Sequence, residues 1–156
     1  MVIALGDKPG ESKVVATDAN NQLLTHVERL DHLFQNGFQF EAAVSQMAVV
    51  EALLLFYLKS RIQPDKLTVK EDLKKLLKRK KLTFGKVKSI VIGNKILHDE
   101  AVQSDLVAYV GYRNDFAHNL ISTFSSVDLQ QFYAIGQRLV EFFHTYLLQI
   151  VKRHVG

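Results

Sequence analysis

The spacing of apolar residues constrains the fold of this chain more than any other feature of its sequence. Between Asp18 and Gln35, and again in several later segments, apolar residues recur at steps of three and four. This spacing places them on one face of an α-helix. No segment alternates with a period of two for long, and only 8 glycines and 2 prolines occur among the 156 residues. The pattern predicts an all-α fold, a helical bundle of four long helices plus one or two short helices.

Turn and capping residues mark the ends of the predicted helices. Asn36–Gly37 closes the first helix, and the second is apolar almost all round, which predicts a central buried helix. Thr68 and Thr83 are expected to cap a basic amphipathic helix and a short helix. The long helices are predicted at about residues 18–35, 38–61, 99–120 and 126–153, with Ser104 and Asp128 as alternative starts of the last two.

Length and composition predict one soluble domain. Residues 1–17 have two glycines, one proline and no periodicity, which predicts a flexible N-terminal lead-in before a single helical domain over 18–156. The chain has no cysteine, which excludes disulfides and thiolate metal sites. No secretory signal is recognisable, and the most apolar run, MAVVEALLLFYL, is interrupted by Glu51 and too short for a bilayer. We therefore expect a cytoplasmic protein.

Positive charge is concentrated in one segment. Residues 65–95 contain eleven basic and three acidic residues, a balance of +8, whereas the whole chain carries +4. The remainder is therefore at −4, and a basic segment on a mildly acidic domain favours a polyanion such as RNA. A lysine-rich, solvated helix face explains the same charges equally well. The candidate RNA-binding residues are Lys74, Lys75, Lys78, Arg79, Lys80 and Lys81.

An arginine lies on the apolar stripe of the fourth long helix. Each residue of an α-helix advances about 100° around the helix axis. If Leu106 marks the centre of the stripe, Arg113 lies only about 20° from it around the axis. A buried guanidinium without partners costs several kcal/mol, so Arg113 requires a carboxylate, an interface or a water-filled cleft. The other members of the predicted stripe are Val102, Val110, Ala117 and Leu120.

Two interpretations of Arg113 remain open on geometry alone. In the structural one, Arg113 pairs with Glu51 on the central helix. In the functional one, Arg113 binds a phosphate through its planar donors, and His118 transfers a proton. Asn114 and His118 are four residues apart and flank the stripe together. Asp115 points further outward, on a side whose small residues would let another surface approach.

Tyr109 and Tyr112 precede this segment and could stack on a nucleobase. The preferred interpretation is that they pack in the bundle or in a dimer interface. The remaining histidines lack the spacing of metal ligands, and the sequence has no phosphate loop or dinucleotide fingerprint. We therefore expect neither a metal nor a cofactor.

The stretch RNDFAH, Arg113 to His118, resembles the R-x4-6-H motif of the HEPN superfamily, whose members are small all-α domains. A polar residue often follows the arginine in that family, and Asn114 matches. The motif also lies near the end of a late helix that is followed by one long helix. EALLLFYL and LTFGKV look like features of several HEPN subfamilies. The resemblance covers about residue 20 to the end.

The resemblance implies a metal-independent endoribonuclease that acts as a homodimer, with two motifs facing one cleft. Arg113 and His118 would be catalytic, Asn114 would position the site, and Glu51, Asp115, Tyr109 and Tyr112 would support it. Many such proteins are toxins or antiphage effectors, so an antitoxin or nucleotidyltransferase partner is expected. The alternatives are a non-catalytic HEPN-like module that binds a nucleotide, RNA or protein, and a purely structural helical domain.

Overall fold

The computed structural model describes residues 9–61, 82–118 and 126–155, and within them it contains five α-helices and no β-strand. Four helices are long and one is short, which confirms the predicted all-α architecture. The helices are α1 (Pro9–Gln35), α2 (Gln39–Arg61), α3 (Phe84–Gly93), α4 (Glu100–His118) and α5 (Ser126–Val155). The helix predicted to start at Thr68 lies outside the described residues.

Helix α1 begins at Pro9, well before the predicted start at Asp18. Residues 9–17, expected to belong to a lead-in before the domain, are helical in the structure, and residues 1–8 lie outside the described part of the chain. Proline suits the first turn of a helix, because its missing N–H would have no intrahelical partner there and its φ is already helical. Pro9, which the sequence pattern places in a loop, is instead the first residue of α1.

The turn between α1 and α2 forms as predicted at Asn36–Gly37. The backbone N–H of Phe38 donates to the carbonyl of Leu33 at 3.0 Å, and that of Gly37 donates to Phe34 at 3.3 Å. Gly37 has φ = 92°, a left-handed conformation that glycine adopts without steric cost. This pair of bonds is a Schellman motif, and it fixes the direction in which α2 leaves α1.

The predicted cap of α3 is present, and a side chain also caps the start of α4. The Thr83 hydroxyl accepts a hydrogen bond from the backbone N–H of Lys86 at 3.4 Å, at the start of α3. An Asp99 carboxylate oxygen accepts from the N–H of Val102 at 3.1 Å, at the start of α4. These side chains satisfy donors that a helix start leaves without intrahelical partners.

Helix α2 forms the centre of the bundle and packs against α1, α3 and α5. Its residues Val50, Leu54 and Leu58 are completely buried. Its 23 residues are long and apolar enough to cross a membrane by length and composition, and half of its most apolar window is buried inside the bundle. The apolar run around Glu51 is too short to span a bilayer, but the complete helix of 23 residues is long enough. The burial of α2 is consistent with the core helix of a soluble bundle.

A buried polar network joins three helices near the middle of the core. The Gln46 amide Nε2 donates to the carbonyl of Tyr133 on α5 at 2.9 Å, and the Tyr109 hydroxyl on α4 donates to Gln46 Oε1 at 3.3 Å. Gly136 makes room for this arrangement, because a Cβ there would overlap the Gln46 carboxamide. Gln46 is only 2% exposed, so these hydrogen bonds offset the cost of burying its amide.

Polar contacts also hold α1 against α5. The Tyr133 hydroxyl donates to Asp31 Oδ1 at 2.5 Å, and the His144 ring nitrogen Nε2 lies 2.6 Å from Asn20 Oδ1. The Phe34 ring stacks on the Tyr133 ring with centroids 4.1 Å apart. The α1–α5 seam therefore combines aromatic packing with hydrogen bonds.

Candidate functional site

The buried face of α4 is rotated slightly from the predicted stripe. Leu106 and Val110 are buried as predicted, but Phe116 replaces Ala117, which is exposed. The Tyr109 and Phe116 rings pack against Phe132 of α5, with centroids 4.6 and 6.1 Å apart, and this contact turns the helix towards α5. Large aromatic side chains thus set the orientation of α4. Leu120 lies outside the described residues.

Arg113 lies on the central line of this buried face, yet its side chain is only partly buried. Its Nη1 donates to Asn114 Oδ1 at 3.4 Å, a long hydrogen bond. Within residues 9–61, 82–118 and 126–155, no carboxylate lies within 4.0 Å of its guanidinium; the ion pair there joins Arg138 to Asp105. Most N–H donors of the Arg113 guanidinium therefore have no hydrogen-bond partner among the described residues.

The predicted partner Glu51 is too far along α2 to reach Arg113. The Phe40 ring lies 5.0 Å from Phe116, and Gln46 accepts from Tyr109, so α2 and α4 run antiparallel. This register places Arg113 level with about residues 42–43 of α2. Glu51 lies eight or nine residues further, about 13 Å along the helix axis. The structural interpretation therefore lacks the ion pair on which it was based.

Asn114 and His118 are both exposed, on the same side of α4, and His118 is the last residue of the helix. Asp115 is exposed as well, as predicted. Arg113 and His118 are about 140° apart around the helix and about 7.5 Å apart along it. One chain therefore directs these two side chains to different sides of α4, and no hydrogen bond joins them in the described structure.

The tyrosines before the motif are packing residues, as the preferred interpretation held. Tyr109 is completely buried, and burial raises the pKa of its hydroxyl far above the ordinary value. The Tyr112 hydroxyl donates to Gln131 Oε1 on α5 at 2.6 Å. The Tyr109 ring is therefore not accessible to a nucleobase, and the Tyr112 ring is half-buried against the core.

An exposed apolar surface lies beside the Arg113 turn. Phe38, Phe40 and Val44, at the start of α2, are 52, 44 and 39% exposed, and we call them the α2 apolar patch. The contact between Phe40 and Phe116 connects this patch with the end of α4. Such clustered apolar exposure is typical of a surface that binds another molecule. The prediction of a central buried helix did not include this patch, because exposure at the start of α2 depends on how the helices pack.

The remaining predicted contributions to the site lie elsewhere. The six basic candidates from Lys74 to Lys81 are outside the described residues. Among those that are described, no group of three or more histidine or acidic side chains could hold a metal ion.

Comparisons with family models, with curated proteins and with solved structures give no match to this chain.

Proposed function

We propose that this chain is a metal-independent endoribonuclease of the HEPN type, which acts as a homodimer. The observation that supports this most is the state of Arg113, an arginine on the buried line of α4 that has no described carboxylate partner. A permanently charged, half-buried group in that position favours an anion, and a phosphodiester is an anion that matches the planar geometry of the guanidinium.

The proposed reaction starts with the 2′-hydroxyl of a ribose. Its oxygen attacks the adjacent phosphorus, while a general base removes its proton. The bond from phosphorus to the 5′-oxygen breaks, and a general acid gives a proton to that oxygen. The products are a 2′,3′-cyclic phosphate and a free 5′-hydroxyl. Arg113 would stabilise the negative charge of the phosphorane, and Asn114 would help to orient the guanidinium through its Oδ1.

His118 is the proposed proton-transfer group, since imidazole can donate or accept a proton near neutral pH. One histidine cannot readily serve as base and acid in the same step. Two chains related by a twofold axis would supply two histidines and two arginines to one cleft. Arg113 and His118 of one chain point to different sides of α4. A dimer is therefore useful, because Arg113 and His118 side chains from both chains could surround one phosphate.

The α2 apolar patch supports the dimer part of the proposal. It lies next to the turn that carries Arg113, so a second copy bound there would approach the site. The basic residues between Lys74 and Lys81 would contact the RNA backbone and make binding salt-dependent. A cytoplasmic toxin or defence effector, with an antitoxin or nucleotidyltransferase partner, is the biological setting that we propose.

The test is cleavage of a panel of RNAs by purified protein in excess EDTA, with analysis of the product ends. We expect 2′,3′-cyclic phosphate and 5′-hydroxyl ends. His118→Ala and Arg113→Ala should each lower the rate by about 10²–10⁴-fold. Arg113→Lys should remain impaired, because a point charge does not replace the planar fork. His98→Ala and Arg29→Ala, at exposed positions, are the matched controls and should cleave normally.

Equal cleavage by the wild type and the His118 and Arg113 variants would identify a contaminating nuclease and contradict the proposal. Loss of cleavage on adding EDTA would contradict the metal-independent mechanism. RNA binding that depends on Arg113, without cleavage of any RNA tested, would instead support a non-catalytic binding module.

A further inference from the structure

We propose that an open cavity between α1, α2 and α5 is a binding site for a small, protonated organic amine with an apolar body. The cavity has a volume of about 470 Å³, which is within the range of small-molecule sites. It contains neither Arg113 nor His118, so this inference is independent of the proposed ribonuclease activity. We call it the α1–α5 cavity.

A carboxylate in this cavity is already oriented by the protein. Asp31 Oδ1 accepts a hydrogen bond from the Tyr133 hydroxyl at 2.5 Å and another from Gln137 Nε2 at 3.2 Å. Both donors bind the same oxygen, and Oδ2 makes no hydrogen bond to the described residues. Burial and the bond to Asp31 raise the pKa of Tyr133, so this hydroxyl stays a donor at neutral pH. The fixed Asp31 carboxylate therefore has a free oxygen for a ligand.

The charges around the cavity favour a cation. Glu141 contributes a second carboxylate to the lining. Arg138 is the basic residue in the lining, but its guanidinium makes a bidentate ion pair with Asp105, with Nε–Oδ2 and Nη2–Oδ1 distances of 2.9 and 2.8 Å. The positive charge of Arg138 is thus balanced by Asp105, which is not among the residues that line the cavity. The carboxylates of Asp31 and Glu141 remain to attract an ammonium group.

The rest of the lining determines which kind of amine fits. Val27, Leu30, Val49 and Val140 form apolar walls, which suit an aliphatic or aromatic body. The buried Gln46 also contributes to the lining, and its Nε2 donates a hydrogen bond to the Tyr133 carbonyl. Apolar walls with one fixed carboxylate select an amine over a fully polar cation.

The experiment measures binding of benzylamine to the full chain by isothermal titration calorimetry at low salt. Benzyl alcohol and benzoate are probes of nearly the same shape with neutral and negative polar groups. We expect benzylamine to bind, and both other probes to bind at least tenfold more weakly. Asp31→Asn should weaken benzylamine binding by about tenfold or more. Asp18→Asn is the matched control and should bind normally, since Asp18 lies about 20 Å along α1 from Asp31.

Ala134→Leu provides a test that leaves the Asp31 hydrogen bonds intact. Ala134 lines the cavity and is half-buried, so a larger side chain there should fill the space and abolish binding. This variant decides the question if Asp31→Asn does not fold. No benzylamine binding up to about 10 mM, or equal binding of benzoate, would overturn the proposal. Binding that neither Asp31→Asn nor Ala134→Leu changes would also overturn it.

Discussion

Gly136 shows how a single residue decides the packing of the core. A Cβ at this position would overlap the carboxamide of Gln46, whose amide bridges α2, α4 and α5. We expect Gly136→Ala to lower the free energy of unfolding by about 1–3 kcal/mol, because the core must shift to make room. Chemical denaturation of the purified variants measures this loss.

Two further variants separate this overlap from a general effect of glycine. Gly111→Ala, on the exposed side of α4 where an added Cβ meets nothing within 4 Å, should raise the stability by about 0.5–1 kcal/mol. Adding Gln46→Ala to Gly136→Ala should cost less than the sum of the two single losses, because the smaller side chain removes the overlap. Strictly additive losses would contradict the steric explanation.

At the scale of the helices, the α2 apolar patch is the surface on which the proposed dimer depends. Phe38 is the most exposed of its three residues, at 52%, so Phe38→Glu should leave the fold intact. We expect this change to weaken dimerisation by tenfold or more, because a charge would be buried in an apolar interface. Sedimentation velocity over a range of protein concentrations measures the effect.

Leu24→Glu on α1 is the matched control for Phe38→Glu. Leu24 is 40% exposed and lies outside the patch, so the same chemical change there should leave the dimer unaffected. A wild-type chain that stays monomeric at all concentrations would contradict the dimer. Equal weakening by both variants would show that the interface lies elsewhere or is not specific.

For the molecule as a whole, three buried tyrosines with raised pKa values, Tyr57, Tyr109 and Tyr133, predict sensitivity to alkali. Burial raises the pKa values of Tyr109 and Tyr133 above the ordinary value of about 10. Because the unfolded chain ionises these groups more easily, their contribution to stability is fully present below pH 10 and is lost as the pH rises above it. We expect the free energy of unfolding to fall steeply above about pH 10, as measured by circular dichroism and tyrosinate absorbance.

Replacing Tyr109 and Tyr133 by phenylalanine should make that alkaline fall shallower, since phenylalanine has no proton to lose. Tyr112→Phe, at a half-buried position near the surface of the bundle, should change the slope less. The double variant Tyr109→Phe, Tyr133→Phe tests this assignment. If its free energy of unfolding falls with pH as steeply as that of the wild type, other groups cause the alkaline sensitivity.

Much of the fold could be predicted from local signals. The start of α3 at Thr83 and the turn at Gly37 depend on neighbouring residues alone, so the sequence was sufficient. The start of α1 was missed, because proline is compatible with both a loop and a first helical turn. The candidate site was predicted in part: Arg113, Asn114 and His118 lie on one helix as expected, whereas the pairing of Arg113 with Glu51 depended on a register between helices that no local pattern contains.

The sequence by itself therefore determined the helical class, most helix ends and the location of the candidate motif, because helix periodicity and capping act within a few residues. Only the tertiary structure decided which way each helix faces its neighbours. The packing of Tyr109 and Phe116 on Phe132 turned α4, and the antiparallel register of α2 and α4 kept Glu51 away from Arg113. The α2 apolar patch and the α1–α5 cavity likewise depend on how separate helices pack, which is set by contacts between residues that are distant in the chain.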